Sequence, residues 1–311
     1  MNTDDWTYGA EIECADWRGD LPKGCTRNTE DHTMVNSNGI AVDPTMRFYA
    51  YGGEINTRPT KSIAGQINIL REFVRMHPEA TINYRCNLHV HIGIPGLAES
   101  LPKLKRIQAA AHHPSYRKVL QHYLDPIPKP TRLEYSDEEH YKGALKRYRR
   151  RKVSHQYFLS EKRLRLQAEQ ENIDRWFDYA MVLHTKTGKP QPAISQRLSV
   201  NILSIREHGT VEFRHFPGTL NPKHLLSCFL WGYCWLKQVL IDKCEDAEAL
   251  WNNEFQHLEF PRFQPYNHWM ETRYQQTYHN VYRSNKQRSL KHAQRIAELL
   301  AEDRKCKHGK H

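Results

Sequence analysis

The chain has 311 residues, 39% of them hydrophobic and 11% aromatic, with a formal net charge of +11. That length and apolar content exclude a disordered chain and allow one large α+β domain or two smaller ones. The positive charge predicts an anionic partner, for which nucleotide, nucleic acid and acidic substrates all qualify.

Residues 6–14, WTYGAEIEC, alternate with the period of a strand. Tyr8, Ala10, Ile12 and Cys14 fall on one face, and Gly9, Glu11 and Glu13 on the other. Two carboxylates about 7 Å apart on one strand face repel each other unless cations lie between them. An exposed edge strand with two solvated acids is the alternative, while Gly9 favours a site that something approaches closely. Asp16 to Asp43 is rich in Gly, Asn, Asp, Thr and Pro and reads as one long loop, either a binding segment or a surface excursion.

Residues 46–59 predict a second strand, with Glu54, Asn56 and Arg58 on one face and a stop at Pro59. Gly52 and Gly53 signal a bulge or a close approach just ahead of Glu54. The spacing of Ile63, Ile67, Leu70, Phe73 and Val74 predicts a helix over 61–76, ending at His77-Pro78. Thr81 to Ile94, TINYRCNLHVHIGI, is a third strand. Arg85, Asn87, His89 and His91 share a face opposite Ile82, Tyr84, Cys86, Leu88, Val90 and Ile92. A face carrying two imidazoles and an arginine is either solvent or a polar site.

After Gly96 the pattern turns helical and basic over Lys103–Leu124 and Asp137–His184, with the break DPIPKP between them. The run LKRYRRRK at 145–152, near Tyr148, Tyr157 and Phe158, fits either a solvated helix or a contact with DNA or another nucleic acid. In ISQRLSVNIL, residues Arg197, Ser199 and Asn201 alternate with Leu198, Val200 and Ile202. After a turn at Glu207-His208-Gly209, TVEFRHF sets Thr210, Glu212 and Arg214 against Val211, Phe213 and His215, so the two runs predict a hairpin. Gly218 to Pro222 then opens an apolar helix. Its run from Leu225 to Ile241 holds Ser227, Gly232, Lys237 and Gln238, too short and polar a stretch to span a bilayer, so no membrane contact is expected. Residues 261–311 form a basic C-terminal region.

The seven cysteines are irregularly spaced and include no CxxC pair, which argues against a disulfide framework or zinc ribbon and fits a reducing cytoplasm. MNTDDWTYG has neither a basic region nor an apolar core, so no secretory signal is expected. A cytoplasmic setting, bacterial or phage-infected, is the expectation.

Five strands thus offer Glu11 and Glu13, Glu54 and Arg58, Arg85 with His89 and His91, Arg197, and Glu212 with Arg214. Carboxylates with imidazoles suit Mg²⁺ or Mn²⁺, and arginines fork onto phosphates and carboxylates. Phosphoryl transfer assisted by more than one metal ion is the chemistry this composition favours.

GAEIE, GGEINTRP, CNLHVHIG and HGTVEFRHFPGTLN resemble the motifs of the amidoligase family, carboxylate–amine ligases related in fold to glutamine synthetase and the glutamate–cysteine ligases. The resemblance covers roughly residues 6–95 and 193–222. It implies an antiparallel, glutamine-synthetase-like catalytic sheet over 1–96 and 193–260 with flanking helices, and ATP with Mg²⁺ or Mn²⁺ as cofactors; the basic helical insertion over 97–192 and the C-terminal region have no counterpart in it and are the expected carriers of substrate choice. Carried over by position, Glu11, Glu13, Glu54, His89 and Glu212 would hold metal, with His89 and Glu212 on one ion. His91, Arg85 and Arg214 would meet the nucleotide, and Arg58, Arg197 and Arg214 would act on the transferred phosphoryl group or the substrate carboxylate. Glutamine synthetase has one further glutamate in this set with no counterpart placed here, which leaves the number of metal ions open.

The implied reaction joins a carboxylate substrate to an amine substrate through an acyl phosphate, as in phage DNA base hypermodification or in amino-acid, peptide or polyamine conjugation. Two other readings stand beside it. A metal-dependent hydrolase or nuclease would explain the histidines but not the interleaved arginines, and a nucleic-acid-binding protein with an inactive ligase fold would not need the intact acids.

Overall fold

The computed structural model describes residues 2–15, 17–28, 52–82, 86–112, 132, 138–139, 141–146, 159, 161–183, 186–191, 195 and 198–240. Arg85, Arg197, Tyr148, Arg149 to Arg151, Tyr157, Phe158 and residues 261–311 lie outside them.

The chain is α+β, built on a six-stranded antiparallel sheet with flanking helices. Its strands are β1 (Thr7–Ala15), β2 (Thr26–Asn28), β3 (Gly52–Asn56), β4 (Asn87–Gly93), β5 (Val200–Asn201) and β6 (Thr210–Pro217). Across the sheet they run β2-β3-β1-β4-β6-β5. Period-two alternation sends Tyr8, Ala10, Ile12, Leu88, Val90, Ile92, Val211 and Phe213 to one apolar face.

Helices cover that face. In α1 (Ile63–Met76), Ser62 caps the first turn by accepting the Gly65 amide, and Ile67, Leu70 and Phe73 turn inward. Against α1 packs α6 (Pro222–Leu240), capped by Asn221, which accepts the Lys223 amide at 2.9 Å. Phe213 lies edge-on to Trp231 and Trp235 of α6, at 5.7 and 5.6 Å between ring centroids.

The helical region after Gly96 includes α2 (Leu101–His112), α3 (Glu161–Ala168) and α4 (Ile173–Tyr179). Leu104 and Ile107 of α2, with Trp176 and Phe177 of α4, belong to the same buried cluster as the sheet. The expected helical run over 137–184 is broken at Gln170 and Glu171, where Asn172 caps α4 by accepting the Arg175 amide.

Three further expectations change. The long loop after Asp16 contains β2, a three-residue strand whose pattern is too short to read by period. The third strand begins at Asn87, not Thr81, which instead makes an isolated bridge to Ala15. The expected hairpin turn is α5 (Leu203–His208), ended by Gly209 in the left-handed region at φ +68°. The antiparallel pairing itself stands, with Val200 opposite Phe213 and Asn201 opposite Glu212.

Gly52 and Gly53 serve the close approach that their sequence signals. Both have φ near +145° (145° and 143°), and a Cβ on Gly52 would come within 2.9 Å of the Cys14 carbonyl oxygen.

Candidate metal and active site

The sheet face away from the helices gathers the ionisable side chains, and register decides which of them meet. Glu13 stands opposite Glu54, Glu11 opposite His89, and His91 opposite Glu212. Between Leu88 and Val90 the β4–β6 register shifts, so that Arg214 and His215 together oppose His89. At this bulge the Arg214 guanidinium turns back onto Glu212 Oε1.

Glu11 is the hub. Its Oε2 lies 2.6 Å from His89 Nδ1 and its Oε1 lies 3.1 Å from His91 Nε2. Glu212 Oε1 lies 3.5 Å from His89 Nδ1 and 3.9 Å from His91 Nε2. Two sets of ligand atoms result, each with its members within 4.8 Å of one another: Glu11, His91 and Glu212, and Glu11, Glu54 and His89.

Each carboxylate is oriented by neutral donors. Asn28 of β2 donates to Glu54 Oε1 at 2.8 Å, and Asn201 of β5 donates to Glu212 Oε2 at 2.6 Å. The Asn87 amide and side chain both donate to Glu13, at 2.8 and 3.1 Å. The Thr210 hydroxyl contacts His91 Nδ1 at 3.0 Å and Ser204 Oγ at 2.9 Å.

Burial pushes the Glu11 carboxyl up, but the His89 and His91 rings beside it win and hold it well below the usual carboxylate range. For Glu54 the balance is reversed: burial, then the Glu11 charge, push it up to about 7 against the opposing pull of His89 and Asn28. Burial and Arg214 work against protonation of His89, and Glu11 and Glu212 outweigh them and raise it.

The donor set fits divalent metal ions. Buried carboxylates of Glu54 and Glu212, with Glu11, lie within ligand distance of the His89 and His91 ring nitrogens, a mix of oxygen and nitrogen donors suited to such ions. His91 Nε2 is buried and makes no well-formed hydrogen bond, although Glu11 Oε1 is near. A ring nitrogen that faces carboxylate oxygens in this way is placed to ligate.

Of the residues expected from sequence, Glu11, Glu54, His89, His91, Glu212 and Arg214 come together. Glu13 lies alongside, engaged with Asn87 and in neither three-ligand set. Arg58 is exposed and donates to the Lys23 carbonyl. Glu212 Oε1 is nearer to His89, its expected partner on one ion, than to His91, at 3.5 against 3.9 Å, while the three-ligand sets group His91 with Glu212 and His89 with Glu54. Asn28 was not foreseen because a three-residue strand carries no pattern. Asn201 and Asn87 were visible on the right faces, but alternation alone does not reveal a hydrogen-bond partner.

Neither a protein-family model, nor a curated protein, nor a solved structure matches this chain.

Proposed function

We infer that this protein is an ATP- and Mg²⁺-dependent carboxylate–amine ligase on a glutamine-synthetase-like sheet, of the amidoligase kind. The observation that carries the reading is the pair of three-ligand sets sharing Glu11, with Arg214 beside them. Glu11, Glu54 and His89 would hold one ion, and Glu11, His91 and Glu212 the other. Bound there, Mg²⁺ or Mn²⁺ supplies positive charge against phosphoryl oxygens.

A carboxylate does not condense with an amine at neutral pH, because oxide is a hopeless leaving group, whereas phosphate leaves readily. The reaction is therefore phosphorylation of the substrate carboxylate by ATP, then attack by the amine on the acyl phosphate to give an amide and phosphate. In this reading Arg214 steadies charge on the transferred group, and Glu11 and Glu212 fix the rings of His89 and His91. Thr210 holds the Nδ1 side of His91, leaving Nε2 directed at the carboxylates. No nucleophilic serine or cysteine is required.

DNA or another nucleic acid as the amine-bearing substrate is supported by the +11 charge and the 145–152 run. A cytoplasmic setting is likewise an inference; among the described residues no helix is long and apolar enough to cross a membrane.

Calorimetry with ATP and Mg²⁺ on the wild type, Glu11→Ala and Arg214→Ala is the test. Metal-dependent binding that both substitutions abolish supports the reading, and ADP release that requires both a carboxylate and an amine completes it. Phosphate release without an amine would instead identify a metal-dependent hydrolase.

A further inference from the structure

Twelve glycines fall within the described residues, and eleven have a reason internal to the chain. Seven adopt positive φ. Gly65, Gly93, Gly218 and Gly232 each have a neighbouring atom within 3.0 Å of where a Cβ would stand. Gly9 is the exception. Its φ is ordinary, and among the described residues the nearest atom to its Cβ position is His91 Cβ at 3.8 Å, an everyday contact. Yet Gly9 lies inside β1, a strand paired on both sides, where glycine costs roughly 0.5–1 kcal/mol relative to alanine.

Its place in the site supplies a use for the empty space. By alternation Gly9 shares the polar face with Glu11, and by register it stands beside His91. His91 is about nine-tenths buried (9% exposed), and its Nε2 lacks a hydrogen-bond partner. Within the two ligand sets the Glu11 side chain is the open member, 25% exposed against 4% for His89 and Glu212 and 11% for His91. Solvent therefore reaches the cluster at Glu11, on the same face of β1 as Gly9. Across β1 the pairing slips by one residue at Arg58 and Pro59, since Asn56 faces Glu11 while Thr60 faces Tyr8. The backbone beside Gly9 on the side opposite His91 is therefore that of Arg58 and Pro59, while the Arg58 guanidinium runs to the Lys23 carbonyl.

We propose that the phosphate chain of the bound nucleotide crosses β1 at Gly9, beside His91, and that the absent side chain is what gives it room. The proposal rests on the ligase reading and adds to it a residue that governs nucleotide access without touching the metal ligands. A methyl group at position 9 suits the strand and obstructs the ligand.

Calorimetric titration of the full chain with Mn²⁺ alone, and then with ATP in saturating Mn²⁺, tests this on the wild type, Gly9→Ala and Gly9→Val. Thermal unfolding of Gly9→Ala at or above the wild-type midpoint would establish that the fold tolerates the methyl. The expected result is Mn²⁺ affinity within about threefold of wild type, with ATP affinity reduced about tenfold or more by alanine and further by valine. If valine prevents folding, alanine decides alone. ATP affinity unchanged by the alanine substitution, in a wild type that binds ATP, overturns the inference and leaves the ligase reading standing. A wild type that takes up Mn²⁺ but no ATP overturns both.

Discussion

Glu11 and His89 stand directly opposite each other on β1 and β4, with Glu11 Oε2 2.6 Å from His89 Nδ1. Because the second oxygen of the same carboxylate faces His91, one side chain serves both ligand sets. Glu11→Gln keeps the shape and removes the charge. It should weaken Mn²⁺ binding by about 100-fold or more, since even residues that only support metal ligands cost about 10–100-fold. Electron paramagnetic resonance of free Mn²⁺ reads this directly, and near-normal affinity would remove Glu11 from the site.

Glu54 links the site to pH. Its carboxyl titrates at about 7 in the folded protein against an ordinary 4.5, so between those values the folded state binds more protons than the unfolded one. Without metal, its contribution makes stability fall as pH rises from 4.5 to 7. Metal competes with that proton, so Mn²⁺ affinity should climb as pH passes through 7. Glu54→Gln should flatten the climb; an identical slope in the variant would mean that another group controls it.

His215 works in the other direction. Burial, only partly offset by the Ser199 carbonyl, holds its ring down to about 3 from an ordinary 6.5. The folded state then binds fewer protons than the unfolded one between pH 3 and 6.5, and stability is lost as pH falls through that window. The loss is on the order of a few kcal/mol. His215→Phe should blunt acid unfolding followed by circular dichroism, and the Ser199 carbonyl would keep the Arg214 amide as its donor.

Phe213 is fully buried between the sheet and α6. Phe213→Ala opens a cavity beside Trp231 and Trp235 and should cost about 3–5 kcal/mol in urea unfolding. Because Phe213 lies between Glu212 and Arg214 in the chain, Mn²⁺ affinity should drop as well. A stability loss below about 1 kcal/mol would contradict the packing described here.

Charge reversal of Arg149, Arg150 and Arg151 addresses the nucleic-acid proposal. It should abolish salt-sensitive DNA binding and leave ATP affinity as it was. DNA retention with the wild-type salt dependence would end the idea.

Alternation made β1, β3, β4 and β6 readable, because Glu11, Glu54, His89, His91, Glu212 and Arg214 each adjoin an apolar residue that must face the helices. Register was not readable. Whether His89 or His91 sits with Glu212 depends on the bulge opposite His89, and nothing local to CNLHVHIG encodes a slip in its partner. Arg58 illustrates another limit: it holds the correct parity, but the strand ends at Asn56 and the side chain goes to the Lys23 carbonyl. Short elements escaped for want of a period, β2 and α5 above all.

The two edge strands, three and two residues long, each lend one asparagine to an outer carboxylate: Asn28 to Glu54 and Asn201 to Glu212. Strands that short are the first part of a sheet to fray. The two ligand sets are thus hinged on the least anchored backbone of the sheet, while Glu11 between them rests on a strand paired along both edges. Occupancy of the centre would then be felt at the margins, as slowed amide exchange in residues 26–28 and 200–201 well before any change in the middle of the sheet.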